Sequence, residues 1–204
     1  MPTLKKILSL SVLAVAVLVA ACKSPDKILQ FPQITFSSDN PIKIIANKVE
    51  VIQEYRPPLA KPNIEYLLPV SPATLAQNWA STRLVAVGNK DSVGVSRTAK
   101  FVVKRASAIE TLLPKTEGIK SLFTVDQDKR YDIELTVEFT LYDVNDVPLA
   151  SATNNFKRSF TTAENITEAQ RHTIWFDKLR ELATEMNPAL EANIRGKFAP
   201  YLTY

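Results

Sequence analysis

Residues 131–142 read YDIELTVEFTLY, and this stretch decides the fold. Ile133, Leu135, Val137, Phe139 and Leu141 fall on one side, while Asp132, Glu134, Thr136, Glu138 and Thr140 fall on the other. A period of two belongs to a β-strand, whose successive side chains point to opposite faces. The stretch therefore predicts a strand with one face in a core and the other in water.

Working downstream, Asp143, Asn145 and Asp146 supply turn chemistry, and the next run carries Leu149, Ala152, Phe156 and Phe160. Two such runs about a short polar turn predict an antiparallel hairpin. Thr167 with Gln170 forms a capping box that opens a helix bearing Trp175, Leu179, Leu182 and Met186 on its inner stripe. Asn187 and Pro188 are expected to break or restart that helix, because proline removes an N–H and crowds the preceding turn. Leu190, Ile194 and Phe198 carry the stripe onward.

Working upstream, residues 93–109 are rich in β-branched side chains and predict another strand, although Lys100, Lys104 and Arg105 blur its alternation and leave the register open. Ser71 followed by Pro72 predicts a helix start, and a helix to about Val87 would turn Leu75, Trp79, Thr82 and Ala86 inward, with Gly88 and Asn89 as a left-handed stop. Pro57, Pro58, Pro62 and Pro69 predict an extended connector over the surface. Residues 43–55 alternate through Ile45, Val49, Val51 and Tyr55 as a first strand.

The order β, α, β, β, β, α, α predicts an α+β fold: a single antiparallel or mixed four-stranded sheet with helices packed on one face. A crossover through the first helix would make the first two strands parallel. One domain over residues 42–204 accounts for all of these elements, with no internal repeat.

The N-terminus carries a different signal. Lys5 and Lys6 precede residues 7–21, which hold no charge, glycine or proline. As a helix this run would span about 22 Å, short of the roughly 20 residues that cross a bilayer, so it predicts a cleavable export leader. Val19, Ala20, Ala21 and Cys22 close it as a lipobox: small residues fit a narrow peptidase pocket, and the thiol is the group that forms a thioether to diacylglycerol. Residues 1–21 are thus expected to be removed and Cys22 to carry lipid, which binds the chain to a membrane. Each buried acyl methylene contributes about 0.8 kcal/mol, so several chains make the anchor effectively permanent. Residues 22–41, broken by Pro25, Pro32 and Pro41, are expected to form a flexible tether.

Composition narrows the chemistry. The chain has 25 Lys and Arg against 21 Asp and Glu, one His and one Cys, and Lys5 and Lys6 leave with the leader. No dense basic block with interleaved aromatics points to nucleic acid. With Cys22 consumed by lipid and His172 alone, neither a Ser or Cys nucleophile with its base nor a Cys- or His-based metal site is expected. Asp126 with Asp128 lacks the glycine and distal glutamate of a calcium loop. Glu134 and Glu138 share a strand face about 13 Å apart, too far for a glycosidase pair. The four glycines form no phosphate-cradling pattern, so no cofactor is expected.

Residues 115–130 exceed a tight hairpin and place Ile119, Leu122 and Phe123 among charged neighbours. Long loops are usually functional or disordered. These three either fold back as a lid on the core or offer an apolar contact to a partner or lipid.

Leu68 and Pro69, Trp79, residues 83–88, Arg130 to Asp132, residues 148–152, Asn193 to Arg195, and Pro200 to Leu202 together resemble a group of uncharacterised proteobacterial envelope lipoproteins. The resemblance spans most of the mature chain and implies no activity. The layout is also similar to auxiliary lipoproteins of envelope ABC transporters and outer-membrane assembly systems. It implies a lipid-anchored, non-enzymatic periplasmic accessory protein that binds an envelope protein partner; the alternative is a carrier or sensor of a lipid-like ligand with a pocket between sheet and helices. Lys23 in place of Asp, by the enterobacterial sorting pattern, directs such a protein to the outer rather than the inner membrane.

Overall fold

A computed structural model describes residues 30–37, 40–88, 96–114 and 127–203. Among them are seven strands and two α-helices. The strands are β1 (Ile42–Ile44), β2 (Lys48–Gln53), β3 (Leu84–Ala86), β4 (Thr98–Leu112), β5 (Gln127–Tyr142), β6 (Pro148–Ala163) and β7 (Leu202–Thr203), and the helices are α1 (Pro72–Arg83) and α2 (Glu168–Lys197). The α+β class follows: a four-stranded sheet in the order β2-β4-β5-β6 is backed by both helices, beside a second sheet in the order β3-β1-β7.

The alternation in β5 is realised without a slip. Tyr131, Ile133, Leu135, Val137, Phe139 and Leu141 are buried, and their even-numbered neighbours up to Glu138 are half-buried on the outer face. Asp143 shapes the turn to β6, its carboxylate accepting from the amides of Asn145 and Val147 at 2.8 Å each, while Asp146 takes the left-handed φ of 57°. The inner face meets the helices through a chain of rings: Trp79 to Phe101 at 5.8 Å, Phe101 to Phe139 at 6.5 Å and Phe139 to Phe198 at 4.8 Å. Each such side chain contributes about 1.5–3 kcal/mol on burial.

A β-bulge explains why β4 reads poorly in sequence. Ala99, Phe101 and Val103 pair with Leu141, Phe139 and Val137, and the register then shifts so that Ala106 and Ala108 pair with Leu135 and Ile133. Lys104 is the additional residue, and it lets the inward set move from odd to even positions without leaving the core. β2 runs parallel to β4 through the α1 crossover, as the element order anticipates.

Three expectations change. Residues 43–55 are two strands, because Ile42, Ile44 and Ala46 are buried on even positions whereas Val49 and Val51 turn inward on odd ones. A single strand cannot hold both sets on one face. The break lets β1 join a sheet of its own, and the single sheet expected becomes two. Helix α1 ends at Arg83, four residues early, because Leu84–Ala86 pairs in parallel with β1. Val87 and Gly88 continue that pairing by donating to Ile44 and Ala46 at 3.0 Å, and the left-handed φ of 76° at Gly88 ends a strand rather than a helix. Helix α2 runs unbroken through Pro188. Packing on both sides holds it: Asn187 accepts a 2.9 Å bond from the Trp79 indole, and Met186 and Leu190 are buried.

Candidate functional site

The described residues place a strap, a partly buried charge cluster and an apolar depression around α2. Residues 31–37 do not hang free as part of a tether. Phe31 stacks on Phe176 at 5.0 Å, and Ile34 and Phe36 pack half-buried against the core. The far end of the strap is fastened by Arg83, whose guanidinium donates to the Ser37 carbonyl at 2.9 Å and pairs with Glu191. Glu191 also accepts from Arg195 at 2.8 Å. The strap thus follows α2 from Phe176 toward Glu191, between shallow clefts of about 320 and 280 Å³ on its α1 and α2 flanks.

Arg83 lies on the same stripe as Leu75 and Trp79, four residues apart, and is only 5% exposed. An arginine on an apolar stripe requires a buried acid, and that spacing was the available signal for this cluster. Ile34 and Phe36, two apart, were the signal for the strap.

At the start of α2, Ile166, Ala169, Gln170, Thr173 and Ile174 line an open, largely apolar depression of about 370 Å³. The ends of β4 and β6 and the start of β5 share this end of the sheet, and Leu112 is 70% exposed there. Behind it, Trp175 stands edge-on to Tyr131 at 5.5 Å, with Phe160 stacked on Tyr131 at 5.2 Å. Burial pushes the Tyr131 phenol up to about 12. Its hydroxyl donates to Glu110 at 3.2 Å. Burial alone would raise the Glu110 carboxyl, but Lys61 at 3.0 Å, Lys129 at 3.6 Å and the Tyr131 hydroxyl outweigh it and hold Glu110 below the usual carboxylate range.

A second buried carboxylate, Glu65, sits in the short 3-10 turn Glu65–Leu67 within the proline-rich connector. One of its oxygens accepts from the Tyr55 hydroxyl at 2.7 Å, Asn63 at 2.9 Å and the Ala108 amide at 3.0 Å. Burial and this carboxylate push the Tyr55 phenol well above its ordinary value. The arrangement closes the edge of β4 where β2 has departed, and it is a structural node that the sequence did not reveal.

The residues singled out for chemistry are not brought together. His172 packs its ring on Trp175 at 5.1 Å, 3.9 Å from the Glu168 carboxylate. Glu134 lies on the outer sheet face between Arg105 and Lys157. Among the described residues no three His, Cys, Asp or Glu side chains gather as metal ligands, and no helix is long and apolar enough to cross a membrane. Val19, Ala20, Ala21 and Cys22 lie outside the described residues, as do Ile119, Leu122 and Phe123.

No protein-family model matches the chain, and no curated protein matches it. Among solved structures, a minor lipoprotein from Acinetobacter baumannii is similar at a TM-score of 0.36 and 13% identity, over 74% of this chain and 94% of that one. A likeness this distant carries no argument about function.

Proposed function

We propose that the chain is a lipid-anchored, non-enzymatic accessory protein of the bacterial cell envelope, held by lipid on Cys22 at the periplasmic face of the outer membrane, where it binds a protein of a transport or assembly complex. The observation that carries this reading over the lipid-carrier alternative is the filled interface between sheet and helices. Trp79, Phe101, Phe139, Leu179 and Phe198 occupy it at no more than 1% exposure each. The three spaces described above lie outside it, as open surface clefts. A carrier needs a concave, mostly enclosed apolar cavity, whereas a docking protein needs a rigid body with available surface.

Crosslinking the intact protein in its own envelope, followed by capture and organic extraction, tests the reading. The expected result is a stoichiometric protein partner and no lipid beyond that covalently attached. A non-covalent lipid recovered at one per chain, without a protein partner, would replace the accessory reading with the carrier.

A further inference from the structure

The strap does more than shorten a tether: it fixes where the chain leaves the folded body, and this decides which end of the body can face the bilayer. Phe31 is seated on Phe176, near the start of α2. Nine residue steps separate it from Cys22, so lipid attached there lies at most about 32 Å from Phe31 even with the chain fully extended. From Phe176 to the C-terminal end of α2 at Lys197 is 21 residues, about 32 Å along the axis, and to Glu168 at its N-terminal end only about 12 Å. The anchor therefore reaches the far end only with every residue of that chain stretched along α2, and the near one with slack.

At the near end the surface is apolar. Ile166, Ala169, Thr173 and Ile174 surround the depression of about 370 Å³, with Leu112 exposed at the same end of the sheet. The outer sheet face, by contrast, carries ion pairs such as Lys104 with Glu54 and Lys157 with Glu134, which favour water. We propose that the N-terminal end of α2, through Ile166, Ala169, Thr173 and Ile174, rests on the lipid surface to which Cys22 ties the chain, so that the Asp143–Val147 turn points away from the membrane. This rests on the lipid-anchor reading above. A small patch suffices because a short tether holds it near the surface at an effective concentration on the order of millimolar. Glu168 and Arg171 flank the patch with opposite signs, so seating depends on apolar contact and little on anionic lipid.

The test uses the full, matured protein reconstituted in phosphatidylcholine/phosphatidylglycerol vesicles. A thioether consumes the Cys22 thiol, so a cysteine introduced by Thr173→Cys, or by Val144→Cys in the far turn, is the single labelling site for an environment-sensitive fluorophore. With covalent lipid verified by intact mass, the Thr173 probe should be quenched by shallow spin-labelled lipids severalfold more than the Val144 probe, and Ala169→Glu should relieve that quenching without altering the melt. Equal quenching of both probes, or of neither, in lipidated protein overturns the orientation and leaves the anchor standing. Shielding of the Thr173 probe from aqueous iodide without lipid quenching shows a protein, such as a second copy, on this face and also overturns it. An unmodified Cys22, visible as a second label, overturns the anchor itself.

Discussion

Arg83 concentrates several constraints in one side chain. It terminates α1, where the helix dipole favours a cation, binds Glu191 across the helix pair and holds the strap by the Ser37 carbonyl. Removing one member of a buried pair typically costs 3–5 kcal/mol. Glu191 keeps Arg195 and is a quarter exposed, so Arg83→Met is expected to cost about 2 kcal/mol, toward the value of a single charged hydrogen bond. It should also open residues 30–37 to limited proteolysis; a melt lowered without new cleavage there would show that the strap does not depend on Arg83. Glu110 and Tyr131 each contribute to the pH dependence of stability. The Glu110 carboxyl is held below its ordinary value when folded, so its contribution is present above about pH 4.3 and is lost as pH falls through the lowered value. The Tyr131 phenol is raised to about 12, so its contribution is complete below about pH 10 and is lost as pH rises toward 12. Tyr131→Phe should flatten the alkaline limb of a pH-stability profile and leave most of the acid limb in place, because Lys61 and Lys129 still hold Glu110 down. Glu110→Gln should flatten the acid limb and also weaken the alkaline one, because Glu110 helps to raise the Tyr131 phenol.

Elements were legible where one periodicity governed the whole segment and illegible where tertiary pairing overrode it. β5 and the start of α2 fall into the first class, since strict alternation and a capping box were both present in the sequence and both are realised. The first strand fails because Ile42, Ile44 and Ala46 obey one parity and Val49 and Val51 the other, a switch that needs a break. The end of α1 fails because β1 offers Leu84–Ala86 a parallel partner that no local pattern displays. Pro188 stays helical because the packing of α2 on the core outweighs its local preference. The site was legible only in part: the strap residues fell within the expected tether, and the depression at the start of α2 is formed by spacing on a helix surface. The bulge in β4 gives the sharpest test at this scale. Lys104 is the residue in excess opposite β5, so its deletion should leave every inward residue in register and cost no more than about 1 kcal/mol, its ion pair with Glu54 being exposed. Deleting Val102 instead reverses Ala99 and Phe101 relative to the rest of the strand and should prevent folding. Equal melts for the two deletions would contradict the bulge register.

At the scale of the whole molecule, a rigid body with a filled core is fastened by its own N-terminal strap, leaving about 32 Å of chain between the body and Cys22. The chain between Cys22 and Phe31 is therefore about half the length that residues 22–41 offered in sequence. With lipid on Cys22 as proposed, a body so constrained would stay close to one membrane surface and meet partners there. The periplasmic accessory reading, the orientation of α2 and the outer-membrane assignment all depend on whether lipid is attached to Cys22. The most direct test is metabolic labelling of the full-length protein with a fatty acid, with intact mass of the purified product, beside a Cys22→Ser variant. The account predicts a labelled chain that begins at Cys22 and carries covalent diacylglycerol, and an unlabelled variant that accumulates with residues 1–21 still attached. Label retained on the Cys22→Ser protein, or a wild-type chain without lipid, would contradict it.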